Sequence, residues 1–232
     1  MSTILSVKNV SKKYKNFQAL SDVSFDIQSG QIVGLLGPNG SGKTTLIKII
    51  NTLITNYTGS VSVCGHAPGL ESKQVTSYLP DIEFLREDLK ISTALNLYSD
   101  FFSDFDVAKA REMLVLVKLN EGAAIKTLSK GMKEKLQLVL TMSRKAMLYI
   151  FDEPIAGVDP AARDFILDTI IRNYNENGAI LFSTHLITDV ENVISRAIFL
   201  KEGRIVLDGE ADAIREQRGM SIDQLFREEF KC

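Results

Sequence analysis

The stretch GPNGSGKTT, residues 37–45, decides the fold of this 232-residue chain. It fits the P-loop pattern G-x-x-x-x-G-K-[ST]. The fixed positions of the pattern are held by Gly37, Gly42, Lys43 and Thr44. The apolar run QIVGLLG (31–37) precedes the stretch, and KTTLIKIINTL (43–53), which has helical spacing, follows it. The pattern therefore stands between a buried strand and a helix, which is the context that it requires.

Such a loop is built to hold phosphate groups. Its glycines let the backbone curl closely, so that successive N–H groups and the start of the helix point at anionic oxygens. Lys43 supplies a mobile positive charge, and the Thr44 hydroxyl is a hard oxygen ligand suited to Mg²⁺. A chance match in a glycine-rich turn is the alternative, and the strand and helix in register argue against it. The residues that we expect to bind the phosphates are Gly37, Pro38, Asn39, Gly40, Ser41, Gly42, Lys43, Thr44 and Thr45.

A second polar element follows about a hundred residues later, where the apolar run MLYIFDEP (147–154) ends in Asp152 and Glu153. Adjacent acids repel one another, so we expect a cation nearby. We expect Asp152 to hold Mg²⁺ through its water shell and Glu153 to orient and deprotonate an attacking water. Two solvated acids in a loop are the alternative, and the P-loop makes that interpretation weak.

Three further residues have both a structural and a functional interpretation. Asp159 in GVDPAAR precedes a proline, which is an ordinary helix start with an aspartate cap. His185 ends the apolar run LFSTH (181–185), and a histidine at a helix start is more often structural than catalytic. Tyr14 in SKKYKNF is a lone aromatic residue at a turn, where a core role and a surface role are equally consistent with the local sequence.

The remaining pattern predicts an α/β protein. Apolar strand-like runs alternate with amphipathic helical runs before residue 85 and after residue 146, which favours a mostly parallel sheet with helices on its faces. Residues 85–146 have helical spacing without strand signals. Asp106 is placed to cap the second helix there. Residues 211–232 predict one or two short polar helices.

Composition excludes several classes of protein. Hydrophobic residues make up 45% and charged residues 24% of the chain, as in ordinary globular proteins. The net charge of -2 gives no support for a nucleic-acid partner. Cys64 and Cys232 predict neither a disulfide framework nor a metal site, so we expect a reducing compartment. No apolar run approaches the ~18 residues needed to cross a bilayer, and we expect no signal peptide.

The stretch LSKGM (128–132) completes a set of five motifs. In order, the P-loop, LSKGM, YIFDEP, GVDP and STH resemble the ATP-binding subunit of an ABC transporter over roughly Leu5 to Asp208. The chain looks most like bacterial subunits of the ABC-2 export type. The resemblance implies a single ABC ATPase domain over residues 1–232: a P-loop NTPase core, an N-terminal antiparallel β subdomain and an inserted α-helical subdomain.

Several roles are implied by this resemblance alone. In the family the signature LSGGQ of one subunit closes over the ATP held by the P-loop of another, so Ser129 and Gly131 are expected to bind a nucleotide of a second protomer. Tyr14 looks like the aromatic residue that stacks on adenine. His185 looks like the histidine that contacts the γ-phosphate, and Asp159 looks like the acid that crosses the dimer interface. Glu153, His185 and Lys43 are thus the expected catalytic residues.

Three positions depart from the family pattern. Lys130 replaces the first signature glycine and Met132 replaces the glutamine, so the polar contact of that glutamine is lost. Asp81 in SYLPDIEF (77–84) stands where the family usually has glutamine. Its carboxylate is a third expected Mg²⁺ ligand beside Thr44 and Asp152, although it adds negative charge next to a triphosphate.

The expected function is an ATPase subunit that binds ATP and Mg²⁺, dimerises with a second nucleotide-binding subunit and powers a separate membrane permease, with export favoured. The helical segment looks like the lobe that receives the permease, which would place the protein in the cytoplasm on the inner face of the cell membrane. The alternative is a soluble, non-transport ABC-type ATPase that acts on ribosomes or DNA. Such relatives usually have two fused nucleotide domains, coiled-coil arms or basic surfaces, and the sequence predicts none of these.

Overall fold

A computed structural model describes residues 2–230 and, within them, all side chains except those of residues 160–162. Cys232 and the end of the expected tail lie outside the described residues. The strands are β1 (Thr3–Tyr14), β2 (Phe17–Gln28), β3 (Ile32–Leu36), β4 (Thr58–Val63), β5 (Thr76–Leu79), β6 (Leu148–Asp152), β7 (Ala179–Thr184), β8 (Arg196–Lys201) and β9 (Arg204–Glu210).

Two sheets organise these strands. The larger has six strands in the order β5-β6-β7-β3-β8-β9, and all its neighbouring pairs are parallel except β8 and β9. The smaller has three strands in the order β2-β1-β4, with both pairs antiparallel. The predicted α/β fold with a mostly parallel sheet and an N-terminal antiparallel sheet is therefore confirmed.

Helices connect and cover the strands. They are α1 (Lys43–Ile50), α2 (Leu70–Gln74), α3 (Ile91–Phe101), α4 (Val107–Leu116), α5 (Lys130–Met142), α6 (Pro160–Asn173), α7 (Ile187–Val190), α8 (Ala211–Arg218) and α9 (Ile222–Glu229). Helices α3, α4 and α5 lie within the segment 85–146 that the sequence predicts to be helical. Its status as a separate subdomain, like the single-domain assignment of residues 1–232, stays a prediction.

The strand β6, which lies between β5 and β7, has an apolar core on each side. Leu148 and Ile150 join the core between the two sheets, whereas Tyr149 and Phe151 join the core beneath the helices. Alternate residues of a strand point to opposite faces, so a strand buried on both faces must be apolar throughout. This burial makes β6 a rigid support for the carboxylates at its end.

Two helices begin at residues whose side chains accept a hydrogen bond from the first turn of the helix. Asp106 accepts a hydrogen bond from the backbone N–H of Lys109 at 3.0 Å and caps α4, as predicted. Ser129 caps α5 by accepting from the N–H of Met132 at 3.3 Å. Helical spacing predicts that Met132 shares one face of α5 with Leu136, Val139 and Leu140, which are buried. Met132 is instead 37% exposed, because it lies in the first turn, before α5 enters the core.

Within residues 2–230, none of the helices is both long enough and apolar enough to pass through a bilayer.

Candidate active site

The P-loop connects β3 to α1 in the middle of the larger sheet. Gly42 has a φ of +111°, a conformation that L side chains rarely adopt. A Cβ at Gly42 would lie 2.6 Å from the carbonyl oxygen of Ala19, and a Cβ at Gly37 would lie 2.4 Å from that of Leu200. Both glycines are therefore required by close approach of neighbouring backbone, which holds the loop against the ends of other strands.

The substitution Gly42→Ala is expected to destabilise the protein by at least about 1–3 kcal/mol, because strained backbone and a steric clash combine. Thermal unfolding measures this effect. Gly40→Ala is the matched control: Gly40 also has a positive φ, +82°, but a Cβ there meets no atom within 4 Å. Equal losses of stability in the two variants would contradict the clash at Gly42.

Lys43 begins α1 and lies almost completely buried behind the loop. Its Nζ donates to the carbonyl oxygens of Gly37 at 2.7 Å and Pro38 at 3.2 Å. The same Nζ lies 3.4 Å from Oε1 of Glu153. Lys43 is therefore the cation that was expected beside the paired acids. Burial lowers the pKa of Lys43, and the charges of Glu153 and Asp152 oppose that shift. The ammonium thus lies between backbone oxygens and the carboxylates.

Asp152 ends β6 and is fully buried. Its Oδ1 accepts hydrogen bonds from the hydroxyls of Ser183 at 2.5 Å and Thr44 at 3.3 Å. Its Oδ2 is buried and has no hydrogen-bond partner among the described residues. Burial is the main cause that raises the pKa of Asp152, with the hydrogen bonds acting in the opposite direction. A buried carboxylate oxygen beside a threonine hydroxyl is a suitable donor set for Mg²⁺.

Glu153 follows Asp152 in a strained backbone conformation, with a φ of +51°. Its backbone N–H donates to the carbonyl oxygen of Ser183 at 2.9 Å, which fixes this conformation against β7. Its Oε2 lies 3.0 Å from Nδ1 of His185. The side chain of Glu153 is thus held between Lys43 on one side and His185 on the other.

Asp81 lies two residues beyond the end of β5, and its side chain is exposed. Its charge contributes, after burial and the charge of Asp152, to raising the pKa of Tyr78. It shares the lining of a cavity of about 320 Å³ with Glu153, Gln137 and Lys130. Asp81 therefore lies at the same end of the sheet as Glu153.

Tyr14 lies at the end of β1, opposite Phe17 across the first hairpin. Its ring is 44% exposed, so of the two interpretations the structure supports a surface position. Beside the hairpin a cavity of about 620 Å³ is lined by Phe17, Gln18 and Gly40 of the P-loop. The hairpin and the phosphate loop thus border one space.

Ser129 and Gly131 lie at the exposed start of α5, and a Cβ at Gly131 would meet no atom within 4 Å. This helix start is open to another molecule. Asp159 directly precedes α6, and its carbonyl oxygen accepts from the backbone N–H of Arg163 at 3.0 Å. The structure therefore brings five candidate residues into one cluster: Lys43, Thr44, Asp152, Glu153 and His185. Outside this cluster lie Tyr14, Asp81, Ser129, Gly131 and Asp159.

Sequence reasoning missed Ser183, the partner of Asp152. The run LFSTH contains it, but nothing local distinguishes Ser183 from Thr184. Its importance comes from register, since Ser183 pairs directly with Asp152 across the neighbouring strands β6 and β7. A known strand order would have revealed it.

These features define a class of protein. A phosphate-binding loop, a buried acid that suits Mg²⁺ and a glutamate near a histidine lie at the carboxyl ends of adjacent parallel strands. Ligands bind at this edge of open α/β sheets. The fold and the site are those of a P-loop nucleotide-binding protein.

The comparisons with known proteins establish the family. The family model of the ABC transporter matches residues 20–156, and the chain belongs to this family. It is 32% identical to the linearmycin resistance ATP-binding protein LnrL of Bacillus subtilis, over 96% of this chain and 74% of that protein. It is 30% identical to the Nod factor export ATP-binding protein I of Burkholderia orbicola, over 96% of this chain and 76% of that protein.

Solved structures agree with this assignment. An ATP-binding subunit of an ABC transporter has 32% sequence identity and a TM-score of 0.88, with 99% of this chain and 100% of that chain covered. A dimeric ATP-binding cassette bound to ADP and Pi has 21% identity and a TM-score of 0.78, with 89% and 98% covered, and supports the fold alone. The protein is an ATP-binding ATPase subunit of an ABC transporter.

Proposed function

We propose that the cluster at the end of β6 hydrolyses Mg-ATP, and that the buried, unpartnered Oδ2 of Asp152 is the observation that carries this assignment. Asp152 and the Thr44 hydroxyl would hold Mg²⁺, with Asp81 at the edge of the site. Bound Mg²⁺ would neutralise negative charge on the phosphates. No group of three His, Cys, Asp or Glu side chains within the described part of the chain could hold a metal ion, and Mg²⁺ typically needs only one or two carboxylates plus phosphate oxygens.

The chain's own groups would divide the remaining work. The backbone N–H groups of the loop 37–45, in which only Pro38 has none, and the Lys43 ammonium bind the phosphates, and Tyr14 stacks on the adenine. Glu153 lies beside the phosphate-binding lysine, so its carboxylate is close to where the attacking water would stand. In this position it would accept the proton of that water. His185 orients Glu153 through the 3.0 Å contact and reaches toward the γ-phosphate.

The nucleotide would be held between two protomers. Ser129 and Gly131 offer a hydroxyl, a backbone approach without a side chain and the positive end of α5, which together suit a phosphate of a neighbouring chain. Asp159 would lie at the same interface. ATP binding and closure of the dimer are then one event, since the phosphates contact both chains.

A membrane permease is the proposed partner. An apolar cavity of about 530 Å³ lies between α3 and the strand β5, and its lining includes Tyr78, Leu85 and Phe102. Leu70 and Phe101, which also line it, are each 75% exposed. Large exposed apolar patches mark interaction sites, and this one suits an apolar segment of a permease.

Export is the direction that we propose, because relatives similar over nearly the whole chain are named for Nod factor export and linearmycin resistance. The protein would then lie in the cytoplasm, on the inner face of the cell membrane through its permease, as an ABC-2 type subunit. No observation favours the alternative of an ATPase that acts on ribosomes or DNA.

Purification from detergent-solubilised membranes tests the partner. We expect a polytopic membrane protein to co-purify with the chain, and the variant Phe101→Glu to lose it because a charge enters the apolar rim. The variant Val115→Glu is the matched control, since Val115 is 77% exposed and does not line the cavity. Recovery of ribosomes or DNA with no membrane protein would contradict the proposal.

A further inference from the structure

Lys12 is a buried lysine next to Tyr14, the residue expected to stack on adenine, which we call the adenine platform. Lys12 is only 8% exposed and lies near the end of β1, the middle strand of the smaller sheet. Its Nζ donates to the carbonyl oxygen of Asn56 at 2.5 Å. Lysine is almost never buried unless its charge has a partner, so the position of this ammonium requires an explanation.

The explanation lies in the ring of Tyr14. The Nζ of Lys12 stands over that ring, 4.8 Å from its centroid. The two residues are two apart on one strand, and residues at that spacing point to the same face of a sheet. A cation at this distance from an aromatic ring is attracted by the negative charge of the ring face. Lys12 thus contacts one face of Tyr14 while the ring stays 44% exposed.

The ammonium of Lys12 is itself held in place by its hydrogen bond to Asn56. Asn56 lies in the segment between α1 and β4, so the hydrogen bond from Lys12 ties β1 to the chain that follows the P-loop helix. A ring held on one face by an anchored cation loses rotational freedom before any ligand arrives. Binding a base to such a ring costs less entropy than binding it to a free side chain.

We propose that Lys12 is a positioning residue for nucleotide recognition, which holds the ring of Tyr14 so that a purine base stacks on its open face. The proposal rests on the proposed role of Tyr14. Lys12 has no contact with the phosphates in this assignment, and its effect is confined to the base. Substitution of Lys12 should therefore change only the part of the nucleotide affinity that comes from stacking of the base on Tyr14. The part that comes from the P-loop and the phosphates should stay the same.

The test compares ADP with pyrophosphate, because the two ligands share a diphosphate and differ in the nucleoside. Isothermal titration gives both affinities without hydrolysis. Lys12→Met is expected to weaken ADP binding about three- to tenfold, the range of a partly desolvated cation–π contact, and to leave pyrophosphate binding unchanged. Lys12→Arg is expected to restore ADP binding, since it keeps the cation. Lys13→Met, at the exposed neighbouring lysine, is the matched control.

The double variant shows whether Lys12 acts through the ring. In a Tyr14→Ala background, Lys12→Met is expected to have no further effect on ADP binding. Equal weakening of ADP and pyrophosphate, or an undiminished effect in the Tyr14→Ala background, would overturn the proposal. If Lys12→Met does not fold, Lys12→Gln removes the cation and keeps an N–H donor for Asn56.

Two failures remain distinguishable. If Tyr14→Ala weakens ADP binding and the Lys12 variants do not, the platform is right and the role of Lys12 is wrong. If Tyr14→Ala leaves ADP binding unchanged, the adenine platform itself is wrong, and the role of Lys12 falls with it. Neither result affects the P-loop, which pyrophosphate reports separately.

Discussion

The variant Glu153→Gln is expected to hydrolyse ATP about 10²- to 10⁴-fold more slowly than the parent protein while it still binds ATP, since general-base catalysis has about that magnitude. Glutamine has nearly the shape of glutamate and cannot accept the proton of an attacking water. The phosphate-binding groups of the P-loop are unchanged. Phosphate release measures the rate, and isothermal titration measures binding.

The same variant reports on the dimer. Because the phosphates are proposed to contact both protomers, a protein that binds Mg-ATP and does not hydrolyse it should accumulate in the closed form. Gel filtration with Mg-ATP is expected to shift the Glu153→Gln variant to the size of a dimer. An elution profile unchanged by nucleotide would contradict the two-protomer site, even with hydrolysis abolished.

The chain contains a matched control for this substitution. Glu71 lies 3.0 Å from Nδ1 of His66, the same distance that separates Glu153 from His185. Both residues of this pair are exposed; His66 precedes α2, and Glu71 lies in its first turn, outside the five motifs. Glu71→Gln removes the same charge from the same kind of pair and is expected to leave hydrolysis unchanged. Comparable losses in both variants would point to an effect on folding.

The local motifs were predictable because each combines a backbone requirement with a chemical one. Gly42 needs a positive φ and Lys43 needs the start of a helix, and both conditions are visible in nine residues of sequence. The acids of β6 were predictable in the same way, as polar residues at the end of an apolar run. The expectation of a cation beside them followed from repulsion alone, and Lys43 lies 3.4 Å from Glu153.

Strand order decided what could not be predicted. Strands β3, β7, β6 and β5 are neighbours in the sheet although they are far apart along the chain. The hydrogen bond from Ser183 to Asp152 depends on that adjacency and on register, and no local pattern encodes either. The exposure of Met132 has a different cause, since helical spacing defines a face but does not reveal where along α5 the core begins.

The order of the strands also explains why the acids, the lysine and the histidine meet. The two acids lie at the carboxyl end of β6, His185 follows β7, and Lys43 begins the helix after β3. Parallel strands bring those ends to one edge of the sheet. The part of the chain between α1 and β6 includes the helical segment 85–146. Ser129 and Gly131 at the start of α5 are exposed, which is consistent with a signature that serves a second protomer.

The variant Lys43→Ala is expected to lower the affinity for ATP about 100-fold or more, because hydrogen bonds to charged groups contribute about 1.5–3 kcal/mol each and one ammonium contacts two phosphates. The loss has a second cause in this structure. Lys43 is the cation that lies 3.4 Å from Glu153, and without it two adjacent carboxylates face the incoming triphosphate. Repulsion then adds to the missing attraction.

Isothermal titration with ADP and ATP measures the effect, and thermal unfolding establishes that the variant is folded. Lys48→Ala is the control, since Lys48 lies on the same helix in its last turn and outside the loop. We expect that control to bind nucleotide as the parent protein does. An affinity of folded Lys43→Ala within about threefold of the parent, a difference of only about 0.6 kcal/mol, would remove Lys43 from the phosphate site and leave its contact with Glu153 as a structural ion pair.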